Sequence, residues 1–254
     1  MLKKNRTKQI IYSGKPAFGY WIHSNSYKIA EMAGLIGVDY IIIDNEHAFN
    51  DEIALENLIR IADLSGVTPI VRVSENSPVA ILKVLDAGAG GVIVPHVETP
   101  NDVKRALEAV KFAPDGKRSL GAGRSLGYGF ADIPNYYELS NREIIVIALI
   151  ESIAAVDNIK EISFTKGVDI LHIGPSDLAQ SMGYTGKPDH PLVEKAIKKI
   201  LIAGKEANVA VGISANDAFL AKRRIKQGFL FIPLGKNDLT LFGNAICQML
   251  DELR

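Results

Sequence analysis

Short apolar runs alternate along the chain with longer stretches whose apolar residues recur at helical spacing. Eight runs read as strands: 17–22, 40–43, 69–73, 91–94, 144–150, 169–173, 209–213 and 229–232. They are too apolar to present a wet face, as expected of parallel strands covered on both sides. Between them, 52–64, 102–111, 192–207 and 217–227 read as helices. In the first, Ile53, Leu55, Leu58, Ile59 and Ala62 recur at helical spacing and suit the outside of a sheet. Strand and helix in alternation predict repeated βα units. Eight such units predict an α/β fold of the closed (β/α)8 TIM type rather than a doubly wound open sheet.

No Pro- or Ser-rich linker interrupts the 254 residues, so 1–254 is expected to be a single barrel domain. The exception to compactness is 112–141, which carries five glycines between Gly116 and Gly129. Read as a βα connection, a segment of that length on a barrel is expected to be an active-site loop. Its stretch from Gly116 to Arg124 lacks the Lys-Ser/Thr ending of a phosphate-binding P-loop, and the dinucleotide fingerprint is absent too.

Charge narrows the function classes. Lys plus Arg and Asp plus Glu number 29 each, which argues against a nucleic-acid or anionic-membrane partner. Lys3, Lys4, Arg6 and Lys8 precede only Ile10, Ile11 and Tyr12, too little apolar sequence for a signal peptide. The apolar run 144–150 is too short to cross a bilayer. The one cysteine, Cys247, has no internal partner, and a reducing, cytoplasmic setting is expected.

In such a barrel the C-terminal strand ends carry the active site. That rule collects Asp44-Asn45-Glu46-His47, Arg72, His96, Glu151 and Ser176-Asp177, with His23 and Trp21 at the end of the first strand. Glu151 and Asp177 leave adjacent strands, and two carboxylates with open positions suit Mg2+, with Mn2+ or Ca2+ as alternatives. Each carboxylate alone would equally serve the helix that follows it. His47 suits a general base and Arg72 an oxygen clamp. Arg118 and Arg124 are candidates for anionic substrate groups.

The segments Gly37 to His47, Val71-Arg72-Val73, Val94 to Thr99, Gly116-Lys117-Arg118, Ile150-Glu151-Ser152 and Ile173 to Leu178 resemble the aldolase/citrate lyase family of class II, metal-dependent 2-oxo-acid aldolases. The resemblance spans nearly the whole chain. It implies His47 as general base with Asp86 as its partner, and Arg72 as stabiliser of an enolate or alkoxide. Glu151 and Asp177 would be the metal ligands, and the Ser176 and Asp177 amides would receive the substrate carboxylate. It also implies a homo-oligomer, a dimer or hexamer with the last helix exchanged.

Several positions depart from the family pattern. Leu149 replaces a glutamine, His96 a methionine, Ser119 and Ala48 glycines, and His23 is an added imidazole. These departures favour a Claisen variant resembling the family's citrate synthase offshoot from siderophore biosynthesis. Oxaloacetate would then condense with acetyl-CoA, with His23 or His96 assisting and Lys117, Arg118 or Arg124 meeting coenzyme A phosphates. The alternatives are aldol cleavage of a 4-hydroxy-2-oxo acid to pyruvate and an aldehyde, and a non-catalytic barrel that binds a 2-oxo acid.

Overall fold

A computed structural model describes residues 4–48 and 50–254; Lys3 of the basic N-terminal run lies outside them. Among the described residues eight parallel strands close a barrel in chain order. They are β1 (Ala17–Ile22), β2 (Tyr40–Asp44), β3 (Thr68–Arg72), β4 (Gly91–Val94), β5 (Ile145–Ile150), β6 (Ile170–Ile173), β7 (Ala210–Ile213) and β8 (Phe231–Pro233). Closure comes from β1 on β8, where Ala17 pairs with Phe231. The expected (β/α)8 architecture is therefore the observed one, and each expected strand lies within two residues of an observed one.

The helices are α1 (Arg6–Tyr12), α2 (Tyr27–Ile36), α3 (Glu52–Leu64), α4 (Pro78–Ala87), α5 (Pro100–Val110), α6 (Ile133–Glu143), α7 (Ile153–Asp157), α8 (Ile159–Ser163), α9 (Pro175–Ser181), α10 (Pro191–Glu206), α11 (Ala218–Gln227) and α12 (Asp238–Leu253). Side-chain caps start many of them: Asp51, Ser77, Thr99, Ser152 and Asp217 each accept from a backbone N–H three residues on. No helix among the described residues is long and apolar enough to cross a membrane.

Two cores follow from the alternation of side chains along each strand. Outward residues such as Ile41, Ile43, Val71 and Val92 pack beneath the helices. Inward residues, among them Tyr40, Ile42, Ile70, Ile93, Ile147, Leu149 and Phe231, fill the barrel. The N-terminal end of the barrel is closed by α1. Thr7 Oγ1 donates to the Asp39 carbonyl at 3.0 Å, and the Tyr12 hydroxyl to Asp169 at 2.6 Å.

One imidazole sits in the inner core. His172 is 1% exposed. Burial first, and the Arg72 charge second, push it down from 6.5 to about 3. The unfolded chain takes up this proton near pH 6.5, the folded one only near 3. The stability involved is full above the unfolded value and is lost steadily as pH falls toward the folded one. His172→Phe should therefore flatten the acid-side fall in stability by about 1 kcal/mol per pH unit in that window. Urea melts at stepped pH read this slope, and an unchanged slope would show that the folded imidazole accepts the proton.

Candidate active site

At the C-terminal end of the barrel, Asp44 and Arg72 face each other as register partners on β2 and β3. Asp44 is fully buried and Arg72 is 8% exposed. Arg72 Nε donates to Asp44 Oδ1 at 2.9 Å and Nη2 to Oδ2 at 2.5 Å, a two-point fork. His23 Nε2 lies 2.9 Å from Asp44 Oδ2. Burial alone would raise the Asp44 carboxyl, but hydrogen bonds from His23 and Arg72 and the Arg72 charge hold it well below the usual carboxylate range. The guanidinium also lies over Trp21, 4.8 Å from the ring centroid.

The network runs on across the mouth. Arg72 Nη1 reaches Glu46 Oε2 at 3.0 Å. Glu46 Oε1 lies 3.0 Å from His96 Nε2, and His96 Nδ1 lies 3.1 Å from Glu151 Oε1. The His96 backbone N–H also donates to Glu151 Oε1 at 2.9 Å. His96 reaches this position from a left-handed backbone at φ 53, a region that histidine enters more readily than most residues. Ser152, not Glu151, caps α7, so the Glu151 carboxylate is left for the mouth. Asp177 lies in the first turn of α9, where the helix dipole favours an acid.

Glu151 is raised above its ordinary value. Burial is the main cause, and Glu46 and Asp177 add to it against the opposing His96 N–H and charge. Asp44, Glu46, Glu151 and Asp177 thus share one end of the barrel with Arg72, four carboxylates to one guanidinium. Gly174 lets the chain pass close to Glu151. A Cβ on Gly174 would lie 3.2 Å from Glu151 Oε2 and 3.1 Å from its Cβ. No ready cluster of three or more His, Cys, Asp or Glu ligands occurs among the described residues. Glu151 and Asp177, completed by water or ligand oxygens, would suit a hard divalent cation.

The remaining candidates divide. His23, Trp21, Arg72, His96 and Glu151 come together. Asp177 acts electrostatically on Glu151, and Ser176 beside it is exposed on α9. His47 stands at the rim, 61% exposed, with Nε2 3.9 Å from Glu46 Oε2. Leu149 points inward below Glu151, as the period of two requires.

Asp86, Arg118 and Arg124 are not brought to this mouth within one chain. Asp86 is the ninth residue of α4, about 12 Å down a helix that runs away from the mouth. It accepts from Arg118 Nη2 at 2.7 Å, and no hydrogen bond or ion pair among the described residues joins it to His47. Arg124 pairs with Asp63 at 2.5 Å, near the C-terminal end of α3. Segment 112–141 joins α5 to β5, so it is an αβ connection and lies at the end opposite Glu151. The expected active-site loop and arginine contacts are corrected accordingly. Sequence reading gave no role to Asp44, Glu46, Ser214 or Asp238. Ser214 accepts from Trp21 Nε1 at 3.3 Å, and Asp238 Oδ1 accepts from the His23 N–H at 2.9 Å.

A family model described as HpcH/HpaI aldolase/citrate lyase matches residues 17–245. The chain belongs to that family. HpcH/HpaI members make or break carbon–carbon bonds, and this chain is an enzyme of that kind. The 4-hydroxy-2-oxo-heptane-1,7-dioate aldolase of Shigella flexneri is 35% identical over 243 residues, covering 95% of this chain and 90% of that one. Among solved structures, an HpcH/HpaI aldolase/citrate lyase family protein from Burkholderia cenocepacia J2315 superposes with a TM-score of 0.92 at 35% identity. It covers 99% of this chain and 100% of that one. Citrate synthase SbnG superposes with a TM-score of 0.87 at 26% identity, over 96% of each chain.

Asp44→Asn should cost about 3–5 kcal/mol in a urea melt, because it leaves the buried Arg72 without its counter-charge. A loss below about 1 kcal/mol would show that Glu46 and Trp21 suffice to hold the guanidinium.

Proposed function

We propose that this enzyme is a divalent-metal-dependent aldolase that cleaves a 4-hydroxy-2-oxo acid to pyruvate and an aldehyde. The observation that carries the reading is the buried Glu151, crowded by Glu46 and Asp177 at the same end of the barrel as Arg72. The 35% identical relative bearing an aldolase name supports this reaction over the Claisen condensation that the sequence departures favour. Glu151 and Asp177 would hold the cation, Mg2+ being the best match, and it would polarise the 2-oxo group as a Lewis acid.

The protein's own groups account for the rest. Arg72 is fixed by Asp44, Glu46 and Trp21 and keeps N–H groups beyond those bonds to meet negative charge developing on oxygen. His47 is the base that removes the C4 hydroxyl proton. His96 is less suited, since both its ring nitrogens lie within 3.1 Å of carboxylates. The C3–C4 bond then breaks, C4 leaves as the aldehyde, and the pyruvate enolate takes a proton at C3. The Ser176 and Asp177 amides at the start of α9 would receive the substrate carboxylate.

A homo-oligomer is part of this proposal. On α12, Leu239, Phe242, Ile246, Met249 and Leu253 form a stripe at helical spacing and are 42–83% exposed. A second copy of the chain would cover that stripe. The helix base is bolted to the mouth through Asp238 and through Asn237 Nδ2, 3.3 Å from His23 Nδ1.

The citrate synthase-like reading keeps one supporting observation, the placement of His96 between Glu46 and Glu151. It needs acetyl-CoA at the mouth, and the arginines expected to meet it lie at the other end.

The test is pyruvate release from 4-hydroxy-2-oxo-heptane-1,7-dioate, coupled to lactate dehydrogenase, with Mg2+ and with EDTA. Release should fall at least about 100-fold with EDTA and in Glu151→Ala, and His47→Ala should lose more than His96→Ala. Release unaffected by EDTA overturns the metal, and no release from the folded enzyme overturns the aldolase. Metal-dependent formation of citrate and free thiol from oxaloacetate and acetyl-CoA would install the Claisen reaction instead.

A further inference from the structure

The eight connections that run from strand to helix meet at the mouth of the barrel. Among the described residues they carry six carboxylates, on Glu46, Asp51, Glu75, Glu98, Glu151 and Asp217, and one lysine or arginine, Lys236. Arg72, at the end of β3, is already paired with Asp44 and Glu46. Lys236 is exposed and makes no hydrogen bond or ion pair among the described residues. The next base at this end, Lys187, lies beyond α9.

The backbone on either side of Lys236 is held in place. The Leu234 N–H donates to the Gly19 carbonyl at 2.7 Å and the Gly235 N–H to that of Ala215 at 2.8 Å, which ties the end of β8 to β1 and to the end of β7. Gly235 then turns through a left-handed φ of 71, a conformation open to glycine. Asn237 caps α12 by accepting from the Thr240 N–H at 2.8 Å, and its Nδ2 lies 3.3 Å from His23 Nδ1. His23 Nε2 in turn lies 2.9 Å from Asp44. Lys236 therefore stands one residue from a side chain that is linked to the centre of the mouth, and its flexible four-carbon stem lets the ammonium follow a ligand there.

In the closed barrel β8 stands three strands on from β5, so Lys236 and Glu151 lie on opposite sides of the mouth. A ligand anchored at Glu151 and long enough to cross the mouth ends at β8 and β1. Resting on the reading of the mouth as a 2-oxo-acid aldolase site, we propose that Lys236 is a specificity-determining residue that pairs with a second carboxylate at the far end of the substrate. The substrate class is then a 4-hydroxy-2-oxo dicarboxylic acid, cleaved to pyruvate and an aldehyde that keeps the second carboxylate. An acid-lined mouth repels a further negative charge unless a cation meets it, and one ammonium offsets one such charge. A phosphate ester at that end would bring nearly two. An uncharged end leaves the ammonium in water and gains nothing from it.

The probes are succinic semialdehyde and butanal, aldehydes of equal chain length of which only the first carries a carboxylate. Each is condensed with pyruvate by the full-length enzyme with Mg2+ present, and pyruvate consumption is followed. The wild type should favour succinic semialdehyde in kcat/KM by about 5-fold, the gain expected of an exposed ion pair. Lys236→Met should bring that ratio to about 1, with the change falling on KM for succinic semialdehyde, and Lys236→Arg should keep most of the preference. Lys187→Met, which removes a base at the same end but away from His23, should leave the ratio at its wild-type value. Equal use of the two aldehydes by the wild type, a ratio unchanged in Lys236→Met, or one that falls as far in Lys187→Met would overturn this role alone. Failure of both aldehydes to condense with pyruvate would overturn it together with the aldolase reading.

Discussion

The mouth of this barrel depends on the buried pair between Asp44 and Arg72. Removing two charges from water costs several kcal/mol each, and only close geometry with further hydrogen bonds offsets that cost. The barrel supplies that geometry because Asp44 and Arg72 are register partners on adjacent strands with the same inward phase. A slip of one residue in either strand would turn its charge toward the helices. Strand register and site chemistry are therefore one constraint here. From the pair the order spreads outward: Trp21 is held under the guanidinium, His23 against Asp44, and Glu46 against Nη1. Glu46 in turn fixes His96, and His96 reaches Glu151.

Much of this is legible in the sequence, for a definite reason. Buried parallel strands are short, apolar and bounded by polar residues, so their ends are marked, and in a barrel those ends are the site. The same period of two puts Asp44 on the inner face with Ile42, and Arg72 with Ile70. Their pairing follows once β2 and β3 are placed side by side. Direction is what a residue list misses. The segment 112–141 follows the helical pattern 102–111, so it must leave from the bottom of the barrel, and its arginines stay there. Asp86 is carried to that end by the same geometry. The helix α1 has only seven residues, below the length at which local propensity decides. Its order comes from distant contacts, such as the Asn5 N–H donated to Glu143 at 2.9 Å, which no local pattern announces.

The carboxylates at the mouth are arranged against stability and in favour of binding. Glu151 is raised mainly by burial, and Glu46 and Asp177 add to the rise against the opposing His96 N–H and charge. Such an arrangement spends folding energy to keep a negative site ready for a positive ligand. Gly174 belongs to the same logic. Its φ of −95 is open to any residue, so the backbone does not require glycine there. The requirement is space, since a side chain would press on Glu151 within 3.2 Å of Oε2. Gly212 stands in the same relation to His172, on the neighbouring strand and one layer down. Two glycines that the backbone does not call for thus let Glu151 and His172 pack against the chain, one at the rim and one a layer below it.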